Sequence, residues 1–112
     1  MAYDERLAER VRGVLAGRPR LSERKMFGGL AFLLGGNMAC GVVKNELMLR
    51  VGAERYAETL ALAHVRPMDF TGKPMKGMVY VGVAGLRTDA ELRGWVERAI
   101  AYAASLPPKP PK

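Results

Sequence analysis

The feature that most constrains the fold is a run of eighteen uncharged residues between Lys25 and Lys44, MFGGLAFLLGGNMACGVV. A membrane-spanning helix needs about 20 predominantly apolar residues, so the run is nearly long enough to span a membrane. It contains five glycines, however, and each costs about 1 kcal/mol relative to alanine inside a helix. The tripeptide Gly-Gly-Asn at 35–37 tolerates positive φ and suits a tight turn. The run therefore predicts a buried hairpin of Leu30–Leu34 with Met38–Val43 and argues against a membrane span.

Length and composition indicate one globular domain. The chain has 112 residues, of which 49% are hydrophobic and 26% charged, and both values are ordinary for such a domain. Cys40 is the single cysteine, and its place in the apolar run predicts an inert core thiol with no need for an oxidising compartment. The N-terminus lacks the apolar core of a signal peptide. We therefore expect a cytoplasmic domain over 1–106, followed by a Pro/Lys-rich flexible tail at 107–112.

Apolar spacing predicts three helices. The first two cover Asp4–Leu15 and Ala53–Ala63, and Pro67 prevents much extension of the second. Thr88 followed by Glu91 forms a capping box, so a third and longer helix should begin there. Its apolar stripe comprises Leu92, Trp95, Val96, Ala99, Ile100, Ala103 and Leu106.

Strand patterns surround the hairpin. Ser22–Phe27 is a short candidate strand, and Glu46–Val51 and Met75–Val83 alternate as half-buried strands do. Short connections favour antiparallel pairing, and helices must cover the apolar face. The sequence therefore predicts a two-layer α+β fold with a mostly antiparallel sheet of about five strands. The helices should lie at the N-terminus, in the middle and at the C-terminus of the chain.

The second face of this sheet is also apolar in part. It carries Met48, Met78 and Tyr80, which are too apolar for a solvated face. Two interpretations are open at this point: the face binds a partner or a second copy of the chain, or a further helix of the same chain packs there.

The sequence offers few residues for catalysis or metal binding. His64 is the single histidine, so one chain cannot assemble the nitrogen and sulfur ligands of a usual zinc or iron site. Neither the Gly28-Gly29 pair nor Gly72-Lys73 belongs to a phosphate-loop motif. The glycine pair is better explained by a strand bend or bulge. We expect no enzyme activity, no metal and no cofactor.

Basic residues dominate the charge, with a formal net charge of +7, which favours loose attraction to polyanions. They include two groups at predicted strand ends, one before the hairpin and one before the last strand. We predict that five of these basic residues contact an acidic partner or nucleic acid. They are Arg20, Arg24, Lys25, Lys73 and Lys76. No helix-turn-helix or RNA-binding signature accompanies them.

Two motifs resemble those of a known family. They are Met26-Phe27-Gly28-Gly29 with the hairpin that follows, and RPMDFTGKPMKG at 66–77. With the strand at 47–51 and the helix around Trp95, they are similar to the N-terminal domain of the TfoX/Sxy family over nearly the whole chain. The motif residues that we interpret as structural are Met26, Phe27, Gly28, Gly29, Phe70 and Gly72.

The resemblance implies an α+β domain with helices against an antiparallel sheet. It also implies a family whose named bacterial members regulate natural competence, acting with the cyclic-AMP receptor protein at promoters. Those regulators carry a second, C-terminal domain, so we expect this chain to be a single-domain member. The family supplies no catalytic residues to transfer.

The leading hypothesis is a non-enzymatic regulatory or adaptor domain that acts through protein-protein contacts, with transcriptional regulation as its context. Its partner would be another protein, or a second copy of this chain, bound at the exposed sheet face or the basic strand ends. The alternative is weak electrostatic binding of nucleic acid. A second alternative is a small-ligand-binding protein or enzyme of unknown chemistry, with a pocket beside Asp69, Phe70 and Lys73.

Overall fold

The computed structural model describes residues 3–26, 28–68 and 77–107. These residues form three α-helices, six strands and one turn of 3-10 helix. In chain order they are α1 Glu5–Leu15, β1 Leu21–Met26, β2 Gly29–Leu34, β3 Asn37–Val43, β4 Glu46–Arg50, α2 Ala53–Leu60, β5 Val65–Pro67, β6 Met78–Val81, the 3-10 turn Val83–Gly85 and α3 Asp89–Ala104. The strands form one antiparallel sheet in the order β1-β2-β3-β4-β6-β5. The α+β prediction is confirmed, with slightly more strands than expected.

The uncharged run forms β2 and β3, which confirms the predicted hairpin. Leu34 lies opposite Asn37, and Gly35 and Gly36 between them have φ of 59° and 83°. Two consecutive positive φ values give the turn that matches the right-handed twist of paired strands. In the described part of the chain, no helix has both the length and the apolar character needed to cross a membrane.

Two of the three described helices, α1 and α3, begin with a side-chain cap. The Asp4 Oδ1 atom accepts hydrogen bonds from the backbone N–H groups of Arg6 and Leu7 at 2.9 and 3.1 Å, so α1 begins where the sequence predicts. At α3, Thr88 Oγ1 accepts from the Glu91 N–H, and Glu91 Oε1 accepts from the Thr88 N–H, both at 3.1 Å. The predicted capping box is therefore confirmed.

The three helices cover one face of the sheet. The main core lies between these helices and the sheet. Its fully buried residues include Val11 of α1, Val42 of β3 and Val96 of α3. Cys40 is buried in the same core, as predicted. Burial raises the pKa of its thiol to about 12, because the thiolate would lose its hydration.

The middle of the chain departs from the predicted boundaries. Helix α2 ends at Leu60 and not at Ala63, because the following residues turn the chain into β5, with His64 at φ 70°. Strand β5 was not predicted. The predicted strand Met75–Val83 ends at Val81, and its first two residues lie outside the described part.

The prediction that Val83 lies on the buried side of that strand is wrong. Val79 and Val81 are fully buried as expected, but Val83 belongs to the 3-10 turn and is 53% exposed. The Gly85 N–H donates to the Gly82 carbonyl at 2.9 Å, so the chain has already left the extended conformation there.

The second face of the sheet is buried within the chain. Of the two interpretations left open above, the one that needs an exposed partner surface is not supported, since Met48, Met78 and Tyr80 are 1%, 7% and 6% exposed. They belong to a second core with Ala31, Leu33 and Met68. Met68, which directly follows β5, is 0% exposed. This face of the sheet is therefore not exposed for a partner to bind.

Candidate functional site

The clearest unused surface of the described structure is the outer side of β1, which we call the β1 edge. Strand β1 is six residues long, lies at one end of the sheet and pairs only with β2 among the described strands. Four consecutive side chains are exposed along it. They are Ser22, Glu23, Arg24 and Lys25.

The backbone of β1 presents hydrogen-bonding groups to the outside. The Gly35 N–H donates to the Arg20 carbonyl at 3.0 Å, which fixes the phase of the ladder with β2. In an antiparallel ladder the hydrogen-bonded pairs alternate with non-bonded ones. Even-numbered residues from Arg20 onward therefore bond to β2, while Leu21, Glu23 and Lys25 direct their N–H and C=O groups away from the sheet.

Alternation also sorts the side chains of β1 onto the two faces. Leu21 packs against the main core, so it and the other odd-numbered residues lie on the helix-covered face. Arg24 pairs with Ala31 of the second core and lies on the other face. The β1 edge therefore carries a cation on each face, at Arg24 and Lys25.

An ion pair fastens β1 to α1. Arg12 donates from Nε and Nη2 to the Glu23 carboxylate at 2.7 and 2.9 Å, and it also pairs with Glu9. The hydrogen bond from Arg12 lowers the pKa of Glu23, and the carboxylates raise the pKa of Arg12. Glu23 is therefore already engaged, and the remaining charge along the β1 edge is positive.

The structure describes three of the five predicted basic residues. Arg20, Arg24 and Lys25 are exposed along one edge, and no ion pair engages them within the described ranges. Lys73 and Lys76 lie outside the described residues.

The predicted motif residues are described in part. Gly28 has φ 73°, which suits glycine, and a Cβ on Gly29 would lie 2.1 Å from the Val42 carbonyl oxygen. Both glycines therefore meet a local backbone requirement. Met26 ends β1, and Phe27, Phe70 and Gly72 lie outside the described residues, as does the pocket expected beside Asp69.

Sequence reasoning missed a polar cluster at the opposite edge. Arg66 of β5 donates from Nε to Glu46 Oε2 at 3.2 Å, and its guanidinium lies over the Tyr80 ring, 4.6 Å from the centroid. The three residues meet because β6 pairs with both β4 and β5. No local sequence pattern predicts that pairing.

The described structure has a concave surface between two of its helices. A groove of about 750 Å³ lies between α2 and α3, but Thr59 in its wall donates from Oγ1 to the Arg55 carbonyl at 2.6 Å. The groove also has both carboxylate and guanidinium side chains in its lining, at Glu97 and Arg98 among others. In the described ranges, no group of three or more His, Cys, Asp or Glu residues could hold a metal ion.

Comparison with known proteins supplies a family for this architecture. No curated protein and no solved structure matches the chain. The model of the TfoX N-terminal domain matches residues 14–103, which include all six described strands, α2 and nearly all of α3. Since that match covers most of the sequence, the chain belongs to the TfoX N-terminal domain family.

Proposed function

We propose that this domain is a non-enzymatic adaptor that binds another protein along the β1 edge. The observation that carries the proposal is the outward row of backbone donors and acceptors at Leu21, Glu23 and Lys25. Proteins commonly recognise an extended segment by adding it to such an edge, where main-chain hydrogen bonds supply affinity. An unpaired edge that has no such use is a liability that proteins usually cover, shorten, interrupt or charge.

The other surfaces support this function less well. The apolar second face is buried by the chain itself, at Met48 among other positions. A nucleophilic role for Cys40 would need an accessible thiolate, whereas this thiol is 0% exposed and its pKa is raised to about 12. The basic strand end is thus the surface from the leading hypothesis that the described structure leaves exposed.

The proposed context is the regulation of transcription, as the resemblance to competence regulators suggests. In that role the domain would bring a second protein to a promoter or hold it away from one. Weak electrostatic binding of nucleic acid is the second candidate function. It is favoured by the net charge of +7 and by the cations Arg20, Arg24 and Lys25 at the β1 edge.

Site-specific photocrosslinking in cells of the source organism tests the proposal. A photoreactive amino acid replaces Ser22 on β1, and a matched control carries it at Ala90, an exposed position on α3. We expect a defined protein to be crosslinked through position 22 and not through position 90. Equal crosslinking at both positions, or none at position 22, would contradict protein binding at the β1 edge.

Binding of duplex DNA at increasing salt separates the second candidate. Contacts between basic side chains and phosphates release counterions, so the logarithm of the affinity should fall linearly with the logarithm of the salt concentration. Absence of DNA and RNA binding at low salt would remove that candidate. Sequence-independent binding that Arg24→Gln and Lys25→Gln weaken would support it.

A further inference from the structure

From the charge and ladder phase of the β1 edge, we infer that its occupant is an acidic extended segment of another protein, added as a seventh strand beside the six described ones. This inference rests on the proposed function and names the chemistry of the partner. It is carried by three features of β1: its outward backbone groups, its two exposed cations Arg24 and Lys25, and the engagement of Glu23 by Arg12.

A second copy of the chain would meet this edge with a mixed charge pattern. A two-fold antiparallel contact must pair the outward residues Leu21, Glu23 and Lys25 with their counterparts. If the axis passes beside Glu23, that residue lies directly opposite Glu23 of the second copy. If the axis passes one residue further along, Arg24 lies opposite Arg24. Like charges directly opposite each other are destabilising, but the second register also sets Glu23 opposite Lys25 on both sides of the axis. A second copy therefore meets both repulsion and attraction at this edge.

An acidic strand avoids this repulsion. Side chains directly opposite in neighbouring strands have Cβ atoms about 4.5–5.5 Å apart, close enough for opposite charges to attract. Arg24 projects on one face of the sheet and Lys25 on the other, so neighbouring carboxylates of the incoming strand can meet both. Glu23 does not repel such a strand strongly, because Arg12 already holds its carboxylate with two hydrogen bonds.

The incoming strand also requires a backbone match. Leu21, Glu23 and Lys25 each present one N–H donor and one carbonyl acceptor to it, spaced two residues apart as an extended chain requires. Leu21 is half-buried and offers an apolar contact at one end. The complementary ligand is therefore an extended segment with adjacent acidic residues near its middle and an apolar residue towards one end.

A synthetic peptide of about ten residues, rich in Glu, Thr and Val, serves as the probe. Its matched controls replace every Glu with Gln or with Lys. On binding to the full chain, we expect NMR shifts and slower amide hydrogen exchange at Leu21, Glu23 and Lys25, whose N–H groups become bonded. NMR shifts centred on another element would overturn the inference. So would Gln and Lys peptides that bind with the same affinity as the Glu peptide.

Two variants test the backbone hydrogen bonds and the charge pairs of this contact. In Lys25→Pro the outward N–H is removed while the even-numbered bonds to β2 remain, and we expect binding of the acidic peptide to be lost. The double variant Arg24→Gln, Lys25→Gln keeps the backbone, and about tenfold weaker binding is expected from the loss of two charge pairs. Unchanged affinity in this double variant would overturn the role of charge even if the proline variant failed to fold.

The outcomes separate the inference from the proposed function. If a crosslinked protein is recovered through position 22 while the Gln peptide binds β1 as tightly as the Glu peptide, the adaptor function stands and the acidic partner is wrong. A dimer in sedimentation that dissociates in Lys25→Pro would assign the edge to a second copy. Duplex DNA that perturbs the β1 amides when the acidic peptide does not would assign it to nucleic acid.

Discussion

The two edges of the sheet differ in the backbone that they expose. At β5, the Met68 N–H donates to the Met78 carbonyl and the Gly82 N–H to the His64 carbonyl, at 3.2 and 2.9 Å. Even-numbered residues of β5 therefore face β6, and Pro67 faces outward, where it has no N–H to offer. Strand β5 is only three residues long, whereas β1 presents six residues without a proline.

The edges also differ in how their cations are used. Arg66 of β5 is engaged by Glu46 and by the Tyr80 ring, while Arg24 and Lys25 of β1 have no ion pair within the part of the chain that is described. Proline, shortness and charged side chains are all common ways to discourage pairing at an edge, and β1 has only the last of these. The comparison teaches that β5 is protected by proline and by its length, whereas β1 keeps its outward backbone donors and carries charge.

The largest effect is expected where β2 packs closely against β3, next to β1. A Cβ on Gly29 would lie 2.1 Å from the Val42 carbonyl oxygen, whereas near β5 a Cβ on Gly85 would lie 3.0 Å from a Val81 side-chain atom. Gly29→Ala should therefore lower the free energy of unfolding by about 3 kcal/mol, and Gly85→Ala by about 1 kcal/mol. Urea unfolding measures both, and equal losses would contradict the backbone clash.

The next effect tests the ladder phase of β1. Arg24→Pro removes an N–H that bonds to β2, and we expect it to lower the free energy of unfolding by about 2 kcal/mol. The neighbouring Lys25→Pro removes an outward N–H, as Pro67 does at β5, and should change it by less than about 1 kcal/mol. Thermal and urea unfolding compare the two, and a greater loss in Lys25→Pro would mean that the phase is reversed.

A smaller effect concerns the pH dependence of the bond between β1 and α1. The hydrogen bond from Arg12 lowers the pKa of Glu23 in the folded state. The stabilisation is therefore present above the unfolded pKa of Glu23 and is lost as the pH falls through the lower folded pKa. Glu23→Gln should flatten the acid decline of the unfolding free energy by less than about 1 kcal/mol, because both side chains are more than a third exposed.

Unfolding at a series of acid and neutral pH values, with Glu54→Gln on α2 as the control, measures that flattening. Identical pH profiles for the wild type and Glu23→Gln would show that the ion pair does not stabilise β1.

The smallest effect is expected at the protected edge. Pro67→Val restores an outward N–H on β5, and the free energy of unfolding should change by no more than about 0.5 kcal/mol. The acidic peptide should still bind at β1, because β5 remains short and Arg66 stays engaged. NMR shifts at Val65 as large as those at Lys25 would show that proline alone separates the two edges.

Strong local signals were enough to predict much of the fold. Glycines at 35 and 36 predicted the hairpin because few other residues tolerate their backbone conformation, and Thr88 with Glu91 predicted a helix start because capping is a contact between near neighbours. Strand β5 could not be predicted from the sequence because it has three residues, one of them a proline. Its extended conformation depends on pairing with β6.

The candidate site shows the same division. Composition and position singled out Arg20, Arg24 and Lys25, and the structure places them along one edge. The sequence could not reveal which backbone groups of β1 point outward, since that depends on the pairing with β2. It also left Met48 open to a partner, although the second core buries it.

By itself, the sequence determined the hairpin, the capped helices, the inert Cys40 and the family, because each depends on residues close together in the chain or on the apolar pattern. Only the tertiary structure decided which strands lie at the edges, that both sheet faces are covered, and that Glu23 is neutralised by Arg12. Those properties depend on strand order and on contacts between distant segments, and they leave the β1 edge as the surface on which this domain has hydrogen bonds and positive charge to offer.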